Sequence, residues 1–123
     1  MIEVHTALAI HSNIVRVSGG ADGVRELGLL ESALSRPFQT FDGQDLYPDT
    51  LAKGAAVLES IVKNHPFIDG NKRAGYVLMH VLLLDHGINL HATEDEKYDM
   101  VIAVAEGRMA FDAIVAWLEQ HTA

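Results

Sequence analysis

The sequence contains no cysteine. A disulfide framework, a thiolate zinc site and a cysteine nucleophile are therefore excluded. Basic residues are scarce as well: 9 lysines and arginines stand against 17 aspartates and glutamates, a formal net charge of −8. A general nucleic-acid binder has the opposite balance, so direct binding to nucleic acid is not expected. Long apolar runs are missing too. The longest, Ala74 to Leu84, is interrupted by His80 and falls far short of the ~20 residues that span a bilayer. The first residues, Met1-Ile2-Glu3-Val4-His5, lack the basic start and apolar run of a secretory signal. The expectation is a soluble, cytoplasmic protein with no membrane partner. No repeat, low-complexity tract or strong strand series is present.

What remains is a chain of 123 residues, 49% hydrophobic and 21% charged. One domain spanning 1–123 is expected at this length, with about two thirds of the unfolded surface buried. The apolar spacing is helical nearly throughout. Ile2 to Val17 reads as an amphipathic helix, with Leu8, Ile10, Ile14, Val15 and Val17 apolar. Gly19, Gly20 and Gly23 then stop it. Leu27 to Leu34 reads as a short helix ending before Pro37, since a residue preceding proline is pushed from helical angles. The stretch Pro37 to Asp49, with Phe38, Phe41 and Tyr47, is too long for a tight turn and too aromatic for a plain linker. Asp49 is placed to cap a helix from Thr50 to about Asn64. A helix from about Asn71 to His86, closed by Gly87, is apolar on nearly all sides and is expected at the centre. Thr93 and Glu96 have capping-box spacing. The helix they open stops near Gly107, and a last helix runs from Phe111 to about His121. The fold class is all-α, a compact bundle of about six helices.

Chemistry concentrates in the break between the two middle helices, Lys63-Asn64-His65-Pro66-Phe67-Ile68-Asp69-Gly70-Asn71-Lys72-Arg73. An imidazole, with an ordinary pKa of about 6.5, is a competent general base at neutral pH, and His65 projects from a loop before a proline. Asp69 offers a hard anionic oxygen suited to magnesium that also coordinates phosphates. Gly70 lets backbone N–H groups approach a ligand. Lys72 and Arg73 lie in the first turn of the next helix, where the macrodipole opposes cations by roughly 0.3–1 kcal/mol each. Their placement makes sense if an anion is bound there. Phe67 and Ile68 are expected to anchor the loop in the core. Taken one at a time, each residue also fits a structural reading: a loop histidine, a solvated cation pair. Together and in this order they describe a phosphate or nucleotide site.

The segment His65 to Arg73 resembles the signature of the Fic/Doc superfamily, usually HPFx(D/E)GN(G/K)R. The form with Asp69 and Lys72 is similar to the Doc, or death-on-curing, branch. The resemblance extends upstream through Gly19-Gly20 and Gly23 to Pro37, and downstream from Glu106-Gly107 to Leu118. It implies the Fic fold, with the motif between two central helices. It also implies transfer of part of ATP to a protein hydroxyl. Most Fic members transfer AMP, whereas Doc phosphorylates elongation factor Tu. By motif position, His65 would be the catalytic base and Asp69 would hold Mg2+. Gly70, Asn71, Lys72 and Arg73 would bind the phosphates. Many Fic enzymes have a second arginine three residues after the first; Tyr76 stands there. That departure and Lys72 fit the kinase form better than AMP transfer. A non-catalytic nucleotide or partner binder is the alternative of another class, and an intact His65 and Asp69 speak against it. The inhibitory pattern (S/T)xxxE(G/N) fails at Glu106-Gly107, where the first position is Ile102. Control would then come from a separate, small Phd-like antitoxin.

Residues outside the motif read more plainly. Lys63 and Asn64 fit a solvated helix end. His80 is expected as a satisfied core histidine, and His5 and His11 as surface residues. Phe38, Phe41 and Tyr47 fit either a target-binding flap or core packing. Arg25, Glu31 and Arg36 fit either a structural ion pair or a substrate contact. Three of the nine cations lie between Lys63 and Arg73 against the single carboxylate Asp69. A focused anion pocket in an otherwise acidic chain is the expectation, with a basic partner over the remaining surface.

Overall fold

The structure, a computed structural model, describes residues 1–122. Six α-helices follow in order: α1 Val4–Ser18, α2 Leu27–Ser35, α3 Thr50–Asn64, α4 Asn71–Asp85, α5 Glu94–Ala105 and α6 Phe111–His121. A 3₁₀ turn, Arg36–Phe38, leads from α2 into a small hairpin, β1 Thr40–Phe41 and β2 Gln44–Asp45. The strands are antiparallel, pairing Thr40 with Asp45 and Phe41 with Gln44. The hairpin was not foreseen, because two-residue strands leave no alternating pattern to read.

Local chemistry sets the helix ends where the sequence places them. The Asp49 carboxylate accepts from the Ala52 N–H at 2.8 Å. Thr93 and Glu96 form the reciprocal capping box: the Glu96 N–H donates to Thr93 Oγ1 at 3.1 Å, and the Thr93 N–H donates to Glu96 Oε1 at 2.8 Å. Past the end of α4, Gly87 has φ +78°. The N–H groups of Gly87 and Ile88 donate back to Leu84 and Leu83. That pattern is a Schellman motif, which needs a residue free to adopt positive φ.

The hub of the core is α3, which packs against α2, α4, α5 and α6. Ala55, Ala56, Leu58 and Ile61 on it are fully covered. The sequence places α4 at the centre, and α4 is the main partner of α3, packing on α1 and α5 as well. Only one side of α4 faces α3. Gly75 allows close approach there, since a Cβ at that position would lie 2.9 Å from Val62 Cγ2. The other side, with Val77, His80, Val81 and Leu84, floors an open groove. His80 is therefore half-buried on the groove rather than in the core, with Nε2 3.1 Å from Asn89 Oδ1.

A long-range arginine cluster ties the segment after α2 down. Arg36 donates to Tyr47 Oη, Glu59 Oε1, Ser60 Oγ and the Ala56 carbonyl. Tyr47 packs on Phe111 at 5.3 Å between ring centres. Both roles are structural, so Arg36 is an ion-pair hub and Tyr47 a packing residue. Phe41, by contrast, is 74% exposed at the hairpin. No helix among the described residues is long and apolar enough to cross a membrane.

Candidate functional site

Helix α3 ends at His65, which takes left-handed angles, φ +52° and ψ +61°. A non-glycine residue pays for this conformation with strain and keeps it only where surroundings enforce it. Here the enforcement is visible. The following residue is a buried proline, which disfavours the right-handed helical region for His65. Arg25 then reaches across to donate from Nε to the His65 carbonyl at 2.7 Å and from Nη2 to the Asn64 carbonyl at 2.8 Å. A cation on the last carbonyls of α3 complements the helix dipole. Arg25 is thus a structural cap on α3. The His65 imidazole itself is exposed and has no side-chain partner among the described residues.

The loop after His65 is laid against the segment Gly23–Glu26. The Pro66 carbonyl accepts from the N–H groups of Arg25 and Glu26, and the Ile68 N–H donates to the Gly23 carbonyl. Val24 and Phe67 form an isolated antiparallel bridge. Gly23, at φ +118°, admits the Ile68 side chain: a Cβ there would meet Ile68 Cδ1 at 3.0 Å. Phe67 is fully buried, as the sequence suggests, but Ile68 is 56% exposed. The two cannot share a fate, because adjacent residues of a bridged, extended segment point to opposite sides.

Asn71 closes the loop on itself. Its Oδ1 accepts from the Phe67 N–H at 2.9 Å and its Nδ2 donates to the Phe67 carbonyl at 3.0 Å. The side chain is thus engaged by the loop at both its oxygen and its nitrogen, and its backbone N–H faces no helical partner. Gly70 caps α4 with φ +74°, and no side chain caps the helix N-terminus. The first helical bond runs from the Ala74 N–H to the Gly70 carbonyl. The N–H groups of Asn71, Lys72 and Arg73 therefore have no helical partner and form an anion-seeking end.

Asp69 lies just before this helix end and lines the same groove. Its Oδ1 accepts from the Gly70 N–H at 2.9 Å, and its Oδ2 lies 3.3 Å from the Ala21 N–H. Gly20 makes that approach feasible, since a Cβ there would fall 2.8 Å from Asp69 Oδ2. Each oxygen keeps lone pairs for a further bond. No cluster of three or more metal-binding side chains occurs among the described residues. A single exposed carboxylate beside an anion cradle suits magnesium carried on a triphosphate, which keeps most of its ligands as water and phosphate oxygen.

The charges set the character of the groove. Arg25, Arg36, Lys53, Lys97 and Arg108 each pair with a carboxylate. Arg16 bonds Asn13. Among the described residues, Lys63, Lys72 and Arg73 alone of the nine cations have neither an ion pair nor a side-chain hydrogen bond. Lys72 and Arg73 line one groove of about 880 Å³ together with His65, Asp69, Gly70 and Asn71. The structure thus brings all six residues singled out by the motif into one cavity. Lys63 remains at an exposed helix end, outside that lining.

Tyr76 lines the same groove. Its hydroxyl is buried with no hydrogen-bond partner. Burial, with Glu94 nearby, pushes its pKa up to about 12. The group is therefore neutral, and it supplies no cation where many Fic enzymes have an arginine. Lys97 of α5 lies over the ring, 5.7 Å from its centre.

A family model described as Fic/DOC family matches residues 2–83. The chain belongs to that family. It is also 38% identical over 102 residues to a protein named Toxin Doc from Mycolicibacterium smegmatis, a match covering 81% of this chain and 78% of the relative.

One residue near the site escaped the sequence reading. His11 is 1% exposed, not on the surface. It falls four residues after Ala7 and four before Val15, the other two buried residues of α1. That spacing was the available signal: an i, i+4, i+8 stripe places His11 on the inner face.

Proposed function

We propose that this protein is a Doc-like toxin of a toxin–antitoxin module, which moves the γ-phosphate of ATP onto a Ser or Thr hydroxyl of a translation protein such as elongation factor Tu. The supporting observation is the pair of uncompensated cations, Lys72 and Arg73, on an uncapped helix N-terminus in one groove with His65 and Asp69. Kinship with Toxin Doc points the same way.

In this reading the triphosphate lies on the free N–H groups of Asn71, Lys72 and Arg73, held by the two side-chain charges. Asp69 holds Mg2+, which supplies charge neutralisation on the phosphates when bound. His65 accepts the proton of the target hydroxyl. The hydroxyl oxygen bonds to the γ-phosphorus as the bond to the leaving ADP oxygen breaks. Phosphoryl transfer demands mainly positioning and charge stabilisation, and the groove offers both. Transfer of AMP is the alternative; the neutral Tyr76 gives it less support, since the triphosphate lacks a second arginine there. The apolar floor, with Val77, Val81 and the half-exposed Leu84 and Tyr98, offers the antitoxin a surface beside the catalytic groups. An exposed Phe41 on an unpaired hairpin edge fits a contact for the target chain.

The test is incubation of the purified chain and elongation factor Tu with ATP labelled separately at the α and γ phosphates. Label from γ alone is expected, and none with His65→Ala. Label from α would replace the kinase reading with AMP transfer. No label from either, with toxicity unaffected by His65→Ala, would overturn the enzymatic reading.

A further inference from the structure

His11 lies far from the motif in sequence and grips it in space. Its imidazole lies flat on the Phe67 ring, 3.9 Å between centres and 4° between planes. Its Nε2 is 2.6 Å from the Asp69 carbonyl oxygen. A carbonyl only accepts, so Nε2 carries the proton and donates. The other ring nitrogen faces Asp22 Oδ1 at 3.5 Å. Asp22 is itself held by Ser12 Oγ at 3.0 and 3.1 Å and by the Gly23 N–H at 2.8 Å. The ring is therefore held at Nε2 and on one face.

The consequence follows from peptide geometry. In a planar trans peptide, the C=O and the next N–H point in opposite directions. Holding the Asp69 carbonyl toward the core turns the Gly70 N–H outward. There it bonds Asp69 Oδ1 at 2.9 Å and fixes the carboxylate. Gly70 fits this packing closely: a Cβ on it would lie 3.4 Å from Val15 Cγ1 and 3.6 Å from His11 Nε2. The Asn71 side chain braces the loop internally, and the Gly23 carbonyl holds Ile68. His11 is the buried side chain that grips Asp69 itself.

We propose that His11 is a positioning residue for the metal–nucleotide site, its Nε2–H setting the Asp69–Gly70 peptide so that the Asp69 carboxylate and the helix N-terminus face the groove together. The inference rests on the phosphotransfer reading above. His11 touches neither substrate nor metal in this role.

The test uses two variants of the full chain. His11→Phe keeps the stack on Phe67 and the burial but removes the donor. His11→Gln keeps a donor and removes the stack. Binding of Mn2+ with ATP, followed by electron paramagnetic resonance, is expected to weaken about tenfold in folded His11→Phe, the scale seen when groups orienting metal ligands are lost. In His11→Gln it should recover to within about threefold of wild type. Amide exchange at Gly70 and Asn71 should accelerate in His11→Phe relative to the amides of α3. In transfer assays kcat should fall while KM for the protein target holds. Wild-type binding and exchange in folded His11→Phe would overturn the proposal. If that variant does not fold, His11→Gln is compared with His11→Ala, and equal Mn2+–ATP affinity overturns it. Should the wild-type chain transfer no label and its toxicity be unaffected by His65→Ala, the phosphotransfer reading fails, and the exchange comparison still decides whether His11 holds the loop.

Discussion

Replacing Arg36 with methionine separates scaffold from site. The side chain is 26% exposed and its partner Glu59 is 20% exposed, with 3.0 Å between Nη1 and Oε1. Breaking a fully buried pair from one side costs about 3–5 kcal/mol, because the abandoned charge stays desolvated. At this exposure, water reaches the carboxylate, and about half of that is a fair figure. Ser60 Oγ, 3.0 Å from Nη1, belongs to a residue only 6% exposed. Its lost donor adds about 1 kcal/mol. The bond to Tyr47 Oη, at 2.9 Å, adds a few tenths, roughly, because Tyr47 is only partly buried. Methionine retains much of the apolar stem contact. The sum is about 3 kcal/mol, a large share of the ~5–15 kcal/mol that holds a domain together. Urea unfolding followed by circular dichroism reads this as a midpoint about 2 M lower, for an m-value near ~1.5 kcal/mol/M. Adding Glu59→Gln should restore part of the loss by removing the orphaned charge. Binding of ATP with Mn2+ should be unchanged below the unfolding transition. A loss under about 1 kcal/mol, or weakened nucleotide binding in the folded variant, would refute the assignment of Arg36 to the scaffold.

Other consequences are as concrete. Gly75→Ala gains about 1 kcal/mol of helix propensity but forces a Cβ to within 2.9 Å of the stiff, β-branched Val62. Overpacking of about 1–3 kcal/mol outweighs that, so chemical denaturation should show a net loss near 1 kcal/mol, and a gain would refute the packing argument. At the C-terminus, His121 donates from Nδ1 to the Trp117 carbonyl at 2.7 Å and from Nε2 to Glu96 Oε2 at 3.0 Å. Both ring nitrogens face acceptors, so the doubly protonated form is favoured. The Trp117 carbonyl, and then Glu96, raise the His121 pKa against its burial. The Glu96 pKa is drawn down to about 2 by the Thr93 N–H, then by His121 and the Thr93 hydroxyl. His121 therefore contributes stability below the ordinary histidine value, and this is lost as pH rises through its raised folded value. Glu96 contributes above the ordinary glutamate value, and this is lost as pH falls toward 2. The melting temperature of wild type should exceed that of His121→Gln most between about pH 5 and 6.5, with the gap closing on both sides. A gap that keeps growing above pH 8 would contradict it.

The motif was legible because it is contiguous. His65 to Arg73 places a base, a carboxylate, a glycine and two cations within nine residues of chain, so no tertiary knowledge is needed to gather them. Helix ends were legible for a similar reason: Asp49, Thr93 with Glu96, and Gly87 act on backbone groups three to five residues away. What failed was long-range. The partner of His11 lies 58 residues along the chain, and nothing local marks a surface-type residue as one that holds a distant carbonyl. Ile68 looked like a core residue because its type is apolar, yet its neighbour Phe67 takes the inner side of the bridge.

The open side of α4 carries the most meaning. An all-round apolar helix normally reports burial on every side, since each exposed apolar face costs free energy. Here α3 takes the hub, and α4 leaves Val77, Val81 and Leu84 on the floor of the groove that also contains the anion cradle. Core packing accounts for Leu78, Met79, Leu82 and Leu83, all nearly or fully buried, but not for these. Partly buried Val77 and Val81 and exposed Leu84 fit a surface that a partner covers part of the time. An apolar floor continuous with Lys72 and Arg73 would let one partner segment shield the hydrophobic surface and approach the cradle at once. In the proposed reading, this apolar floor is where the antitoxin would reach the site.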